Sequence, residues 1–398
     1  MTLRRHTVRA LIAIFVGAVL CGGPLPVRSA GEPFEIPAIL SLTGFAGFPG
    51  SEQARALVAL QTLINRRGGI NGRPVRFHIY DDQSNPQVAV QLAGPLIAAH
   101  VSAIIGPDLV ANCRAVAALL TDGPVAYCTS PGTPVTRGGF MFAGSTPNPQ
   151  TIRAMLRYFQ QQRWTRIALL TPIDATGQDG ERVLTDTLTL PENRTATLVA
   201  NEHYAPADLS VTAQLVRIKH TDPQVLLIWA SGTAFATALR GSVDSGLDIP
   251  IATSAANTTR PQLEQEVDLM PKTGLLFPGP LIFLPRASLP TDATRNAVDD
   301  FTRGLHDAGV DPSPVAALSW DPGLIITEAL RHIGVTATAV QLHDYLEQLH
   351  DFAGVDGPYD FRDGSQRGLG LNAAMVVRWD PATKTFQAAS GPGGTALR

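Results

Sequence analysis

Ile36-Pro37-Ala38-Ile39-Leu40 opens the stretch that decides the fold. This short apolar run leads into the turn-rich Thr43-Gly44-Phe45-Ala46-Gly47-Phe48-Pro49-Gly50. From Ser51, a residue suited to capping a helix, Leu57, Leu60, Leu63 and Ile64 recur at helical spacing until Gly68-Gly69 stops them. Val75-Arg76-Phe77-His78-Ile79-Tyr80 then alternates as a strand does. Strand, helix, strand at this separation needs a crossover between parallel neighbours.

The same alternation continues outward from that stretch. Pro86 to Ala99 reads as helix, Val101 to Ile105 as strand, Ala115 to Leu120 as the core of a helix and Val125 to Tyr127 as strand. Asp81-Asp82, side by side at a strand end, reads as a solvated pair pointing to opposite faces. After the polar joint Ser145-Thr146-Pro147-Asn148-Pro149 the pattern restarts. Thr151 to Gln162 and Leu209 to Ile218 are helical, and Ala234 to Leu239 begins another helix. Ile167 to Leu170, Leu198-Val199, Val225 to Trp229, Ile249 to Ala252 and Leu275 to Phe277 are strands. The expectation is α/β, with two parallel-sheet units. In such sheets ligands sit at the carboxyl ends of strands, and those ends here carry glycine and small polar residues.

At 398 residues the chain has room for two domains. Arg4, Arg5 and Arg9 precede an apolar run from Ala10 to Leu20, and Pro24 and Pro26 end it. Val27-Arg28-Ser29 offers a cleavage site, so residues 1–29 are expected to be a signal peptide, the run being too short to span a bilayer. Lipid anchoring at Cys21 is disfavoured by the bulky Leu20 before it. Losing four arginines takes the formal net charge from −3 to −7, unsuited to nucleic acid. No P-loop, Gly-x-Ser-x-Gly elbow or His-x-x-x-His pair occurs, so neither enzyme chemistry nor a cofactor or metal is expected.

Several ordered segments carry a resemblance. Ser41-Leu42-Thr43-Gly44, Ile64-Asn65-Arg66-Arg67-Gly68-Gly69-Ile70-Asn71-Gly72-Arg73, Tyr80-Asp81-Asp82 and Ile104-Ile105-Gly106-Pro107 come first. Ser130-Pro131-Gly132-Thr133, Ala230-Ser231-Gly232-Thr233, Ser319-Trp320-Asp321 and Gly357-Pro358-Tyr359-Asp360-Phe361 follow in order. Together they resemble the branched-chain amino acid (leucine/isoleucine/valine) binding protein family of type I periplasmic binding proteins. The resemblance covers essentially the whole chain after residue 29. It implies two lobes joined by three crossovers, near 145–149, 278–280 and 354–357, with the ligand cleft between them. One lobe would take 30–148 with 279–355, and the other 149–278 with 356–398.

Site residues carried over from the resemblance are Ser130, Gly132 and Thr133 on one carboxylate-holding loop and Asn112 on another. Leu109-Val110-Ala111 stand where the family has hydroxyls. Phe45 and Phe48 would cover the ligand, Ser231, Thr233 and Asn257 would contact it from the second lobe, and Trp320 would sit on the rim. Cys113 and Cys128 are either bridged, since ends of parallel neighbours lie close, or two buried thiols. The stretch 253–260 lacks the acid that pairs an amino-acid ammonium in this family. A carboxylate without an α-ammonium, aromatic acids foremost, is therefore the expected ligand, with Arg114 near the anion loop. The rival is a branched-chain amino acid met by Asp108, Asp174 or Asp321. The expected role is a monomeric periplasmic solute-binding protein feeding the permease of an ABC importer. The alternatives are a periplasmic sensor of the same fold and, further off, an enzyme on it.

Overall fold

The computed structural model describes residues 32–397; the expected signal peptide and Cys21 lie outside them. The first lobe is built on five parallel strands: β1 (Phe34–Leu40), β2 (Val75–Asp81), β3 (Ala103–Ile105), β4 (Val125–Cys128) and β5 (Met141–Ala143), in the order β2-β1-β3-β4-β5. Helices α1 (Gly47–Arg66), α2 (Pro86–Ala98) and α3 (Val110–Ala117) are its crossovers. Alternate side chains of β1 enter different cores, Ile36, Ala38 and Leu40 on one face and Ile39 on the other. A sheet covered on both faces explains why its strands read as unbroken apolar runs.

Helix α4 (Asn148–Gln161) opens the second lobe. There β6 (Arg166–Pro172), α5 (Ala175–Leu188), β7 (Thr197–Tyr204), α6 (Thr212–Lys219), β8 (Val225–Ile228), α7 (Gly232–Asp244), β9 (Ile251–Thr253), α8 (Arg260–Gln265) and β10 (Leu275–Gly279) follow. The chain then returns to the first lobe. Helices α9 (Asp292–Asp307) and α10 (Pro314–Ile333) pack on α1, and α11 (Ala339–Gln348) packs on α10. The small hairpin β11 (Phe352–Ala353) and β12 (Pro358–Tyr359) precedes a third crossing to β13 (Met375–Asp380) and β14 (Thr385–Ala388). The second sheet runs β14-β13-β10-β9-β8-β6-β7, parallel from β7 to β10 and antiparallel beyond.

Core membership differs from the expected division at two places. Leu281, Leu284, Leu289 and Val298 bury with the second sheet, whereas Tyr359, Phe361, Leu369 and Ala373 bury with the first. Helix α1 starts a turn before Ser51, with Ala46 as a cap that offers no side-chain acceptor, and α3 starts five residues before Ala115. The expected end of α1 is sound: Gly68 and Gly69 take φ of 90° and 66°, where a side chain is strained.

Candidate functional site

Both sheets repeat one strand order, 2-1-3-4-5 from β1 to β5 and again, in β6 to β10, as β7-β6-β8-β9-β10. Strand order reverses between β1 and β3 and between β6 and β8, and loops diverging there leave a crevice at the carboxyl ends. A cavity of about 90 Å³ occupies that place in the cleft. Its first-lobe wall is Asp108-Leu109-Val110 after β3 and Thr129 to Gly132 after β4, with Pro49 and Gln53 of α1. Its second-lobe wall is Thr176, Trp229, Ser231 and Ser254 to Ala256, all just past strand ends. Each of the three crossing segments adds lining: Ser145, Thr146 and Asn148; Pro278 to Pro280; and Ala374, while Asp356 lines it from the turn between β11 and β12. The walls are largely apolar, and no lysine, arginine or histidine lines them.

Beneath the first wall lies an acid cluster. Ser41 Oγ is 2.8 Å from Asp82 Oδ1 and 2.8 Å from Asp108 Oδ1, and Asn112 donates to Asp82 at 2.7 Å. A hydroxyl has one proton to give, so the second contact requires a protonated carboxyl. Burial, reinforced by the charge of Asp82, pushes Asp108 up to about 7. Asp82 is fully buried and likewise raised by burial, which corrects the solvated reading of Asp81-Asp82. Asp81 instead organises the β1 loop, accepting from Leu42, Thr43 and Gln83 amides.

Burial also lifts Glu52 and Glu266 to about 7 and Asp321 to about 6. Each binds its proton more tightly folded than unfolded, so native binds more protons than unfolded between those values and about 4. Stability from these groups is full below about pH 4 and is lost as pH rises through about 7. Surface carboxylates with lowered values, such as Asp360 at about 2, act below that window. The expected result is a lower thermal midpoint at pH 8 than at pH 5. Asp108→Asn should flatten the slope, and a midpoint that rises over this range would contradict the assignment.

Beside the turn between β11 and β12, Asp321 is fully buried and accepts from the amides of Val355 at 2.9 Å and Asp356 at 3.0 Å. Tyr359 Oη lies 3.0 Å from Asp321 Oδ2 and 2.8 Å from Gly144 O, tying β12 to the residue before the first crossing. Asp174 caps α5 through the Gly177 amide at 2.9 Å. Of the expected ammonium partners, only Asp108 lines the cavity.

Ser130, Gly132 and Ser231 of the expected site line the cavity. Trp320 does not: it is buried in the first core, edge-on to Phe301 at 5.1 Å between centroids. Asn257 is buried and occupied with Ala230 O and the Gly232 amide. Asn112 and Thr133 are buried behind the wall, and Arg114 is exposed away from it. Phe48 and Thr233 line a separate hollow of about 360 Å³ beside α7. Phe45 reaches across by its backbone, its carbonyl accepting from the Thr233 amide at 3.4 Å. Of the groups expected to hold an aromatic acid, Phe45, Phe48, Trp320 and Arg114 do not line the cavity, and its flat apolar surface is that of Trp229. Sequence reading singles out none of Trp229, Ser145 and Asp356, although Trp229 ends a strand and the resemblance places the other two near crossings.

Cys113 and Cys128 form a disulfide with Cα atoms 6.0 Å apart. It fastens the first turn of α3 to the end of β4, the two elements that carry the first-lobe wall.

Among the described residues, no helix is long and apolar enough to cross a membrane. No curated protein matches the chain significantly. Solved structures do. A type 1 periplasmic binding protein from Bordetella pertussis is 21% identical, with a TM-score of 0.75 over 90% of this chain and 99% of that one. The branched-chain amino acid transporter substrate binding protein of Streptococcus pneumoniae, in complex with isoleucine, is 17% identical, with a TM-score of 0.74 over 90% and 98%. An ABC transporter solute binding protein of Rhodopseudomonas palustris, in complex with benzoate, is 18% identical, with a TM-score of 0.74 over 92% and 98%. Two lobes of this topology are the type I periplasmic binding fold, and residues 33–385 match the family model described as periplasmic binding protein, the family to which this chain belongs.

Proposed function

We propose that this protein captures a small organic solute outside the cytoplasm and delivers it, as a monomer, to the membrane permease of an ABC importer. The observation that carries this reading is the cavity where both strand-order reversals and all three crossing segments meet. A ligand there touches both lobes and the segments between them, so its binding energy favours the closed arrangement. We take the lobes as 32–145 with about 299–373, and 146 to about 298 with 374–397. Similar structures hold isoleucine and benzoate, and apolar walls of this kind suit solutes of that size.

A thermal-shift panel of amino acids, amines and aromatic acids should give at least one compound that raises the midpoint. X-ray scattering should then show a smaller radius of gyration with that compound, and identical curves at saturation would remove the closure mechanism. Gly232 supplies a second test. Its φ is +57°, and an added Cβ would lie 1.8 Å from Phe45 O across the cleft. Gly232→Ala should leave the fold within about 1–2 kcal/mol of the parent. It should weaken apparent affinity about tenfold by depopulating the closed state. Unchanged affinity would mean that this contact is no part of closure.

A further inference from the structure

We propose that Asp356, together with Ser145, is the recognition point for a positively charged nitrogen on the solute; this rests on the solute-binding reading above. Both residues line the cavity, Ser145 from the first crossing and Asp356 from the turn between β11 and β12. Asp356 is only 5% exposed, and its carboxyl makes no hydrogen bond with the described chain. Ser145 is 3% exposed, and its Oγ is likewise without a partner. The Tyr359 hydroxyl bridges their two segments through Gly144 and Asp321.

Charge determines what can fill this place. Asp321 receives two amide bonds and stands within reach of a tyrosyl hydroxyl, so it is the acid whose negative charge the chain supports. Asp356 stands next to that charge with no donor of its own. Burial and Asp321 together hold its carboxyl well above the usual range. The buried guanidinium of Arg367 donates to Thr133 O behind the wall, feels the charge of Asp179, and does not line the cavity. A buried carboxylate without a partner is costly, and the apolar walls provide none. An ammonium or amidinium group satisfies Asp356 by charge and Ser145 Oγ by an N–H donor. A solute bearing only a carboxylate brings a further negative charge to two acids.

Calorimetry on the intact secreted protein with matched solutes tests this. The series is leucine, 3-methylbutylamine, 4-methylpentanoate, benzylamine and benzoate. Each amine should bind roughly 30-fold or more tightly than the acid of like skeleton. Asp356→Asn should erase that preference, and Ser145→Ala should reduce it. The empty Asp356→Asn protein should also melt higher than the parent, because the unpaired acid is gone; this arm needs no ligand. Acids that bind as well as the amines would overturn the assignment while leaving solute capture standing. A lower midpoint for empty Asp356→Asn would overturn it too, since the carboxyl would then be held by the chain.

Discussion

Trp320→Ala is expected to lower stability by about 3–5 kcal/mol, read as a shift in the urea midpoint. The indole is 1% exposed and packs edge-on against Phe301. A Cβ added to Gly304 would stand 2.7 Å from its Cη2, so α9 and α10 are fitted closely around the ring. Removing it leaves a cavity that rigid helices fill only in part. Had Trp320 been a rim residue, the variant would keep its midpoint and lose ligand affinity. That outcome would return the residue to the binding surface.

Replacing both cysteines by alanine is expected to cost about 3 kcal/mol, the chain-entropy value for a loop of this length. The bridge spans 15 residues, and both cysteines are fully buried. The effect should extend beyond stability, because Leu109-Val110 and Thr129 to Gly132 hang from the two fastened elements. Loosening them should raise the dissociation constant for any ligand found in the panel. Equal urea midpoints for the parent and the double variant would show that the bridge does not constrain the unfolded chain.

The parallel core of both lobes was legible because doubly covered strands are apolar throughout. Val225-Leu226-Leu227-Ile228 sends alternate residues into opposite cores and so reads as one unbroken run. Three helices of the returning segment were not legible from period alone. Helix α10 begins at Pro314 and contains Pro322, residues that read as breaks, yet most of its length is buried. Helix α5 is hidden by Gly177 and Gly180, glycines required because Pro172 and Trp229 press on that face.

At the site, strand position marks the loops after strands as ligand loops, and the resemblance singles out Ser130, Gly132 and Ser231 within them, which line the cavity. The crossings were recognised as connections and not as walls, because sequence gives no sign that a connector folds inward. Asn257 and Asn112 show the converse error. Asparagine in a ligand loop looks like a contact, but here one satisfies backbone groups and the other satisfies Asp82.

Of the four tryptophans, Trp229 is the one that lines the cavity. Trp320 and Trp379 are sealed in separate cores, and Trp164 packs with Tyr158 and Phe159. Helix α5 presses on the inner edge of Trp229, where a Cβ on Gly180 would approach Cδ1 to 2.1 Å. The ring is therefore held still on one side and faces the cavity on the other. Its emission is a built-in optical gauge of occupancy: an arriving solute displaces water from one indole while the other three keep their surroundings. Trp229→Phe should silence the signal, giving a label-free readout of ligand arrival in stopped-flow time.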